Sequence, residues 1–216
     1  MTAFGYFQLG ELNKALPLIE RALDVNQSIE GVKGTPNEQL LYPLVRIYSK
    51  MGRFEEALAK TEGLIIEVEA TSGPSVGLAS RLAAHGEILK NLGQDLEATQ
   101  FYQRALELYM KYSPDDFYQG LKLELEIIKL RADVAKPEIA TAQFEALAKK
   151  HKSDIEAAGY YAWLFEDQRG DLYAKLGRVA AARAAYEKAL SQEGHEDVKD
   201  FEIIATRKKI EELEAD

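Results

Sequence analysis

The stretch GDLYAKLGRVAAARAAYEKAL, from Gly170 to Leu190, decides the fold of this chain. The apolar side chains of its second half are spaced i, i+4, i+7 and i+8, which places them on one face of an α-helix. They are Ala182, Tyr186, Ala189 and Leu190. Gly177 stands where a helix C-terminus favours left-handed backbone, so we expect a short turn to join this helix to an earlier one. The stretch therefore predicts two helices that pack closely at the small residues Gly170 and Ala182.

Four further copies of this pattern precede it, and their central alanines recur at steps of 42, 41, 42 and 42 residues. These alanines are Ala15, Ala57, Ala98, Ala140 and Ala182. A glycine stands five residues upstream in four copies, and the fourth copy has Ala135 there. Self-similarity at such a fixed period indicates a repeat architecture.

The copies resemble the tetratricopeptide repeat, in which Leu-Gly and Tyr lie on a first helix and Ala and an aromatic residue on a second. A standard repeat of that family has 34 residues. The longer step resembles the repeats of kinesin light chains and of bacterial peptide-sensing regulators. The resemblance covers nearly the whole chain. It implies an all-α fold, an α-solenoid or right-handed superhelix of about five helix-turn-helix repeats with a C-terminal capping helix.

We predict one solenoid domain over residues 1–216, divided into five repeats and a capping helix at 195–214. The repeats span about 1–33, 34–73, 74–113, 114–152 and 153–193. A short first helix precedes Gly10, and the others are predicted at about 11–30, 38–51, 53–71, 75–92, 94–112, 115–133, 137–151, 154–176, 178–192 and 196–214. Pro17 and Pro43 fall inside two of these, where we expect a kink or a late helix start. The first copy has only about nine residues of its first helix, which fits either a domain boundary at Met1 or a natural short cap.

Composition excludes several classes of function. The 216 residues are 46% hydrophobic and carry a net charge of −9, which disfavours nucleic acid and anionic membranes as partners. No apolar run is long enough for a membrane-spanning helix or fits a signal peptide, so we expect a cytoplasmic location without membrane insertion. The absence of cysteine excludes disulfides, thiolate metal sites and cysteine nucleophiles.

No catalytic constellation is found in the sequence, so we expect no enzymatic activity, no cofactor and no metal. His85 and Glu87 form a His-x-Glu pair, but zinc deaminases with that pair also need a Cys-x-x-Cys that this chain lacks. His85 is therefore expected to pack between helices. The adjacent acids Asp115 and Asp116 are expected to complement a helix dipole at its N-terminus.

Recognition is the chemistry that remains. In stacked helix pairs the first helix of each pair, here called the inner helix, lines the concave face. Mapping the inward-facing places gives candidate residues for binding a peptide or partner: Tyr42, Arg46, Lys50, Glu87, Lys90, Asn91, Lys122, Lys129, Asp167 and Asp171. They describe a surface of mixed sign that is acidic toward its C-terminal end. Kinesin light chains carry asparagines on their inner helices, where this chain has Tyr42, Ala83, Leu125 and Asp167, so that family's ligand preference does not transfer.

Four aromatic residues also crowd the start of one inner helix: Tyr160, Tyr161, Trp163 and Phe165. Successive helical residues face different ways, so we expect at least one to contact a neighbouring pair. Three functions stay open. The first is a non-catalytic protein–protein interaction module that binds a peptide or protein in its groove. The second is a peptide-sensing regulatory domain, and the third is an accessory or scaffold region of a larger multidomain protein. Exposed end repeats also make a homodimer plausible.

Overall fold

Twelve helices make up the part of the chain that the computed structural model describes, which is residues 2–28, 38–115, 117–132, 136–157, 159–191 and 200–215. No strand occurs in these ranges, so the predicted all-α class is confirmed. In chain order the helices are α1 Ala3–Gln8, α2 Leu12–Ser28, α3 Glu38–Met51, α4 Phe54–Thr71, α5 Val76–Asn91, α6 Asp95–Tyr112, α7 Phe117–Leu130, α8 Pro137–Lys150, α9 Lys152–Ala157, α10 Gly159–Lys175, α11 Val179–Leu190 and α12 Asp200–Ala215.

The helices fall into two compact units. Unit 1 spans Met1–Leu130 and holds α1 to α7, and unit 2 spans Arg131–Asp216 and holds α8 to α12. Within unit 1, α5 packs against α4 and α6, and α6 packs in turn against α7. Within unit 2, α11 packs against both α10 and α12. Within each unit, each helix thus lies beside its neighbours along the chain, as the repeat pattern predicts.

Small residues set the distance between the two helices of a pair. All five periodic alanines are buried: Ala15, Ala57, Ala98, Ala140 and Ala182. Opposite Ala182, a β-carbon built on Gly170 would lie only 2.2 Å from Cε1 of Tyr186, so α10 and α11 approach as closely as a glycine allows. Gly86 faces Tyr102 in the same way, at 2.9 Å, between α5 and α6. The close packing predicted at Gly170 and Ala182 is confirmed, and the α5–α6 pair shares it.

The turn inside a pair depends on a left-handed glycine. Gly177 has φ of +69°, a conformation that side chains other than glycine rarely adopt. This allows the backbone N–H of Arg178 to donate to the carbonyl of Tyr173 at 2.8 Å and satisfy an end of α10. Gly10, Gly52 and Gly93 also have a positive φ, so the turns expected from the sequence are confirmed.

Some predicted helix bounds differ from the structure. Helices α2 and α3 begin before Pro17 and Pro43, so the alternative of a late start is wrong. The apolar face of α2 is buried at Ala15, Leu16 and Ile19, and this packing outweighs the hydrogen bond that a proline removes. The helix expected at 154–176 corresponds to α9 and α10, between which Ala158 is outside the described residues. The described part of the capping helix starts at Asp200, and residues 192–199 are outside the described ranges.

Candidate partner-binding surface

The N-terminal part of the candidate surface carries two cations above an aromatic ring. Arg46 and Lys50 are one turn apart on α3, and their charged groups lie 5.4 and 5.3 Å from the centre of the Phe7 ring on α1. Arg46 is partly buried and Lys50 is exposed. A ring face attracts cations, which orients both side chains. Tyr42 belongs to α3, but its side chain is outside the described residues.

Charged residues of the third and fourth copies form one network across α5 and α7. The Lys90 ammonium contacts Glu87 Oε2 at 3.0 Å and Glu126 Oε2 at 3.1 Å. The other oxygen of Glu126 contacts Lys129 Nζ at 2.6 Å. The side chains of Glu126 and Lys129 are only 11% and 14% exposed. Three of the candidate residues are therefore engaged with one another through Glu126, which the sequence pattern did not single out.

The charges of this network are stabilised by one another. Burial alone raises the pKa of Glu126, but the ammonium groups of Lys129 and Lys90 outweigh it and lower the pKa to about 2. For Lys90, burial lowers the pKa, and the carboxylates of Glu126 and Glu87 outweigh this so that the pKa is raised. Glu126 and Lys90 are thus charged at neutral pH, and each offsets the charge of the other.

Two further candidates lie beside this network. The amide of Asn91 on α5 donates to the Ser49 hydroxyl of α3 at 2.9 Å, and Asn91 itself is exposed. These two residues are 42 positions apart, so they occupy the same place in successive repeats. Lys122 is partly buried on α7.

The acidic candidates of the fifth copy are bound by the C-terminal helix. Lys209 Nζ of α12 contacts Asp167 Oδ2 at 2.7 Å and Asp171 Oδ1 at 2.8 Å. The Thr206 hydroxyl donates to the other oxygen of Asp167 at 2.7 Å. Asp167 is only 3% exposed, so a partner reaches its carboxylate only when α12 leaves. Lys209 follows Asp167 by one repeat step of 42 residues, a relation that the period alone was sufficient to find.

A tyrosine–carboxylate bond recurs in the third and fifth copies. Tyr102 donates to Glu87 Oε2 at 3.0 Å, and Tyr186 donates to Asp171 Oδ1 at 2.9 Å. In each case the acid follows the close-packed glycine and lies 15 residues before the tyrosine. At the acid's place the second and fourth copies have the cations Arg46 and Lys129. From the second copy to the fifth, the sign of the charge at this place therefore alternates from one repeat to the next.

Most of the aromatic residues of α10 contact other helices or are buried. Trp163 and Phe165 are buried, and the Phe165 ring meets Phe144 of α8 edge-on at 4.9 Å. Tyr160 donates to Glu202 of α12 at 3.3 Å, so it contacts a neighbouring helix as expected.

His85 packs between helices, as the sequence predicts. Its Nδ1 lies 2.8 Å from the Thr61 hydroxyl, and its ring lies 4.4 Å from that of Phe101. Burial lowers the pKa of His85, against the opposite effect of Glu62 and Glu97. Among the described residues, no three His, Asp or Glu side chains form a group able to hold a metal ion. None of the described helices is long and apolar enough to cross a membrane.

We expect the stability of unit 1 to fall as the pH is lowered through about 6.5, the ordinary pKa of histidine. The unfolded chain takes up the proton of His85 more readily than the folded chain, so protonation favours unfolding. Replacing His85 with Gln removes this contribution. Thermal unfolding of both proteins at about pH 7.5 and about pH 5.5 is the measurement, and the loss of Tm should be smaller for the variant. An equal loss in both proteins would contradict this assignment.

Family comparisons agree with this geometry. The tetratricopeptide repeat-like domain family matches residues 123–215, and the tetratricopeptide repeat family matches residues 79–111. The chain is a tetratricopeptide repeat protein. Its repeats are of the long form, because they recur at a step of 42 residues and residues at that separation contact each other. No curated protein matches the chain.

Solved structures of similar fold include proteins with TPR or TPR-like repeats. A putative kinesin light chain from Podosopora anserina with nearly identical TPR-like repeats has a TM-score of 0.62 and 15% identity over 88% of this chain and 90% of its own. BtubC (BKLC) from P. vanneervenii has a TM-score of 0.64 and 14% identity over 94% and 81%. A thermophilic TPR protein of Thermus thermophilus has a TM-score of 0.53 and 21% identity over 96% and 95%. At these identities the likeness concerns the fold, an all-α repeat of the solenoid type.

Proteins built from tetratricopeptide repeats generally serve as scaffolds for protein–protein interaction and are typically not catalysts. The sequence pattern predicts the candidate charges of this repeat protein but not which residues bind them, although Lys209 stands one repeat step from Asp167. Glu126, Thr206 and Lys209 bind the candidates across repeats, and each belongs to a helix that the repeat pattern does place correctly.

Proposed function

We propose that this protein is a non-catalytic interaction module that binds a peptide or protein partner on the inner helices of unit 1. The observation that carries the proposal is the exposed cation Lys50, held beside Arg46 over the ring of Phe7. Lys50 makes no ion pair with any residue in the described ranges, whereas Lys90, Lys129, Asp167 and Asp171 all do. An oriented cation that lacks a carboxylate partner is available to a ligand.

An aromatic ring beside such a cation adds apolar contact area to the charge. Phe7 is partly buried, so a ligand that covers its ring and meets Lys50 gains both desolvation and an ion pair. The partner we propose is an extended or helical segment of mixed charge. Homodimerisation through the end repeats stays a prediction.

Reversing the charge at Lys50 is expected to weaken partner capture at least fivefold, because the new carboxylate repels the ligand group that the ammonium attracts. The measurement is affinity capture from lysate with quantitative mass spectrometry, using the wild-type chain and Lys50→Glu. Lys111→Glu is the matched control, since Lys111 is also an exposed lysine near an aromatic ring, at 5.1 Å from Tyr112, but it lies on α6, the second helix of its pair. If the three proteins capture the same partners in equal amounts, the proposal fails.

A further inference from the structure

The C-terminal helix contacts α10 through a polar stripe. Glu202, Thr206 and Lys209 are spaced i, i+4 and i+7, so they lie on one face of α12. This face meets a polar face of α10: Tyr160 binds Glu202, Asp167 binds Thr206, and Asp167 and Asp171 together bind Lys209. Each polar group of this face of α12, a carboxylate, a hydroxyl and an ammonium, thus has a hydrogen-bonding or charged partner on α10.

The ammonium of Lys209 lies between two carboxylates of α10. Two carboxylates contact it at 2.7 and 2.8 Å, and it lies 5.4 Å from the centre of the Tyr186 ring. Thr206 is 1% exposed and Asp167 is 3% exposed, whereas the side chains of Lys209 and Asp171 are 30% and 24% exposed, so the contact is shielded from water on the Asp167 side. Burial lowers the pKa of Lys209, but Asp171 and Asp167 outweigh it and raise the pKa, which keeps the group charged.

Other repeats use apolar residues at this place. The positions that correspond to Asp167 in the third and fourth copies hold Ala83 and Leu125, and Leu125 is 1% exposed. An apolar contact of similar volume is usually at least as stabilising as a buried ion pair, whereas a buried ion pair discriminates strongly between partners. The contact between α10 and α12 therefore favours a helix that carries matching polar groups over a helix that lacks them.

We propose that this face of α10 is a recognition site for a lysine-bearing helix, and that α12 is its resident, displaceable ligand. A partner helix with a carboxylate, a hydroxyl and a lysine at the spacing of Glu202, Thr206 and Lys209 competes with α12 for Tyr160, Asp167 and Asp171. The proposal rests on the interaction role proposed above but concerns unit 2. Its failure leaves the Lys50 experiment in unit 1 unaffected, so the two are tested separately.

The test uses the full chain and a fluorescent peptide of the sequence DFEIIATRKKIEELEA, which is α12 itself. In the wild-type chain α12 is tethered beside its site at a high effective concentration, so the peptide binds weakly. Lys209→Gln loosens the resident helix, and we expect the peptide to bind this variant at least tenfold more tightly by fluorescence anisotropy. A peptide with Gln at the place of Lys209 should bind neither protein.

Lys208→Gln is the matched control, because Lys208 is the adjacent lysine but its side chain is 72% exposed and pairs with Glu212 on the same helix. This variant should bind the peptide as weakly as the wild-type chain. Equal peptide binding by Lys209→Gln and Lys208→Gln would overturn the proposal. Hydrogen exchange of the unmodified chain gives a second measurement: α12 should lose protection with rising salt before α10 and α11 do. Exchange of all three helices together would show that α12 does not open separately, which also overturns it.

Discussion

Replacing Gly170 with alanine is expected to destabilise unit 2 by about 1–3 kcal/mol, the usual cost of overpacking a core. The new methyl group would lie 2.2 Å from Cε1 and 2.3 Å from Cδ1 of Tyr186, so either the ring or a helix must shift. The ring cannot rotate away freely, because its hydroxyl is bound to Asp171 and its body is buried. Chemical denaturation followed by far-ultraviolet circular dichroism measures the loss.

Gly63 supplies the matched control for this substitution. It also lies inside a helix, α4, but a β-carbon there would meet nothing within 4 Å. Gly63→Ala should therefore stabilise the protein by about 0.5–1 kcal/mol, since alanine favours the helix over the unfolded chain. If the Gly170→Ala protein were as stable as the Gly63→Ala protein, α10 and α11 would have to lie farther apart than the structure shows.

Replacing Glu126 with glutamine is expected to destabilise unit 1 by about 3 kcal/mol, at the lower end of the range for removing one partner of a buried ion pair. The change keeps the shape of the side chain but leaves Lys90 and Lys129 without the carboxylate that both contact. The pKa of Glu126 is depressed in the folded protein, so its contribution is fully present above the ordinary value of about 4.3. It is lost as the pH falls from there through about 2, the folded-state pKa.

Two features distinguish this effect from a general loss of surface charge. Glu56→Gln removes one partner of an exposed ion pair with Arg53 and should change stability little. Stability measured between about pH 5 and pH 2 should also fall less steeply in Glu126→Gln than in the wild-type chain. An acid dependence identical to that of the wild-type chain would mean that Glu126 is not the carboxylate whose pKa the network depresses.

The sequence predicts most of the fold because each local pattern occurs again in several repeats, so that several weak signals support the same prediction. A single glycine after a helix predicts a turn weakly, but Gly10, Gly52, Gly93 and Gly177 recur in step, and all have the predicted positive φ. The central alanines are all buried for the same reason. Helix bounds are less predictable where packing outweighs propensity, as at Pro17 inside α2.

The candidate surface is only partly predictable from the sequence. The helical period shows which residues share a face of a helix, but it does not show which residue binds a given charge. The repeat period predicts that Lys129 and Asp167 face inward, yet whether each meets solvent or another helix depends on the neighbouring repeat. Glu126 lies 36 residues from Lys90, which is not a whole repeat step, so no period finds it. Lys209, one full step after Asp167, is the kind of partner that a search at the repeat distance does recover.

The tyrosine–carboxylate bond has a consequence for how the length of this protein can change. It occurs at Tyr102 and again at Tyr186, 84 residues later, while the intervening copy has Phe144 at that place and Lys129 at the acid's place. The second to fifth copies therefore alternate between repeats with a cation and repeats with a carboxylate at this place. Removing one repeat would place two repeats of the same kind side by side, with like charges at equivalent positions, whereas removing two restores the original order. Shortened or lengthened versions of this scaffold should accordingly be built in double repeats.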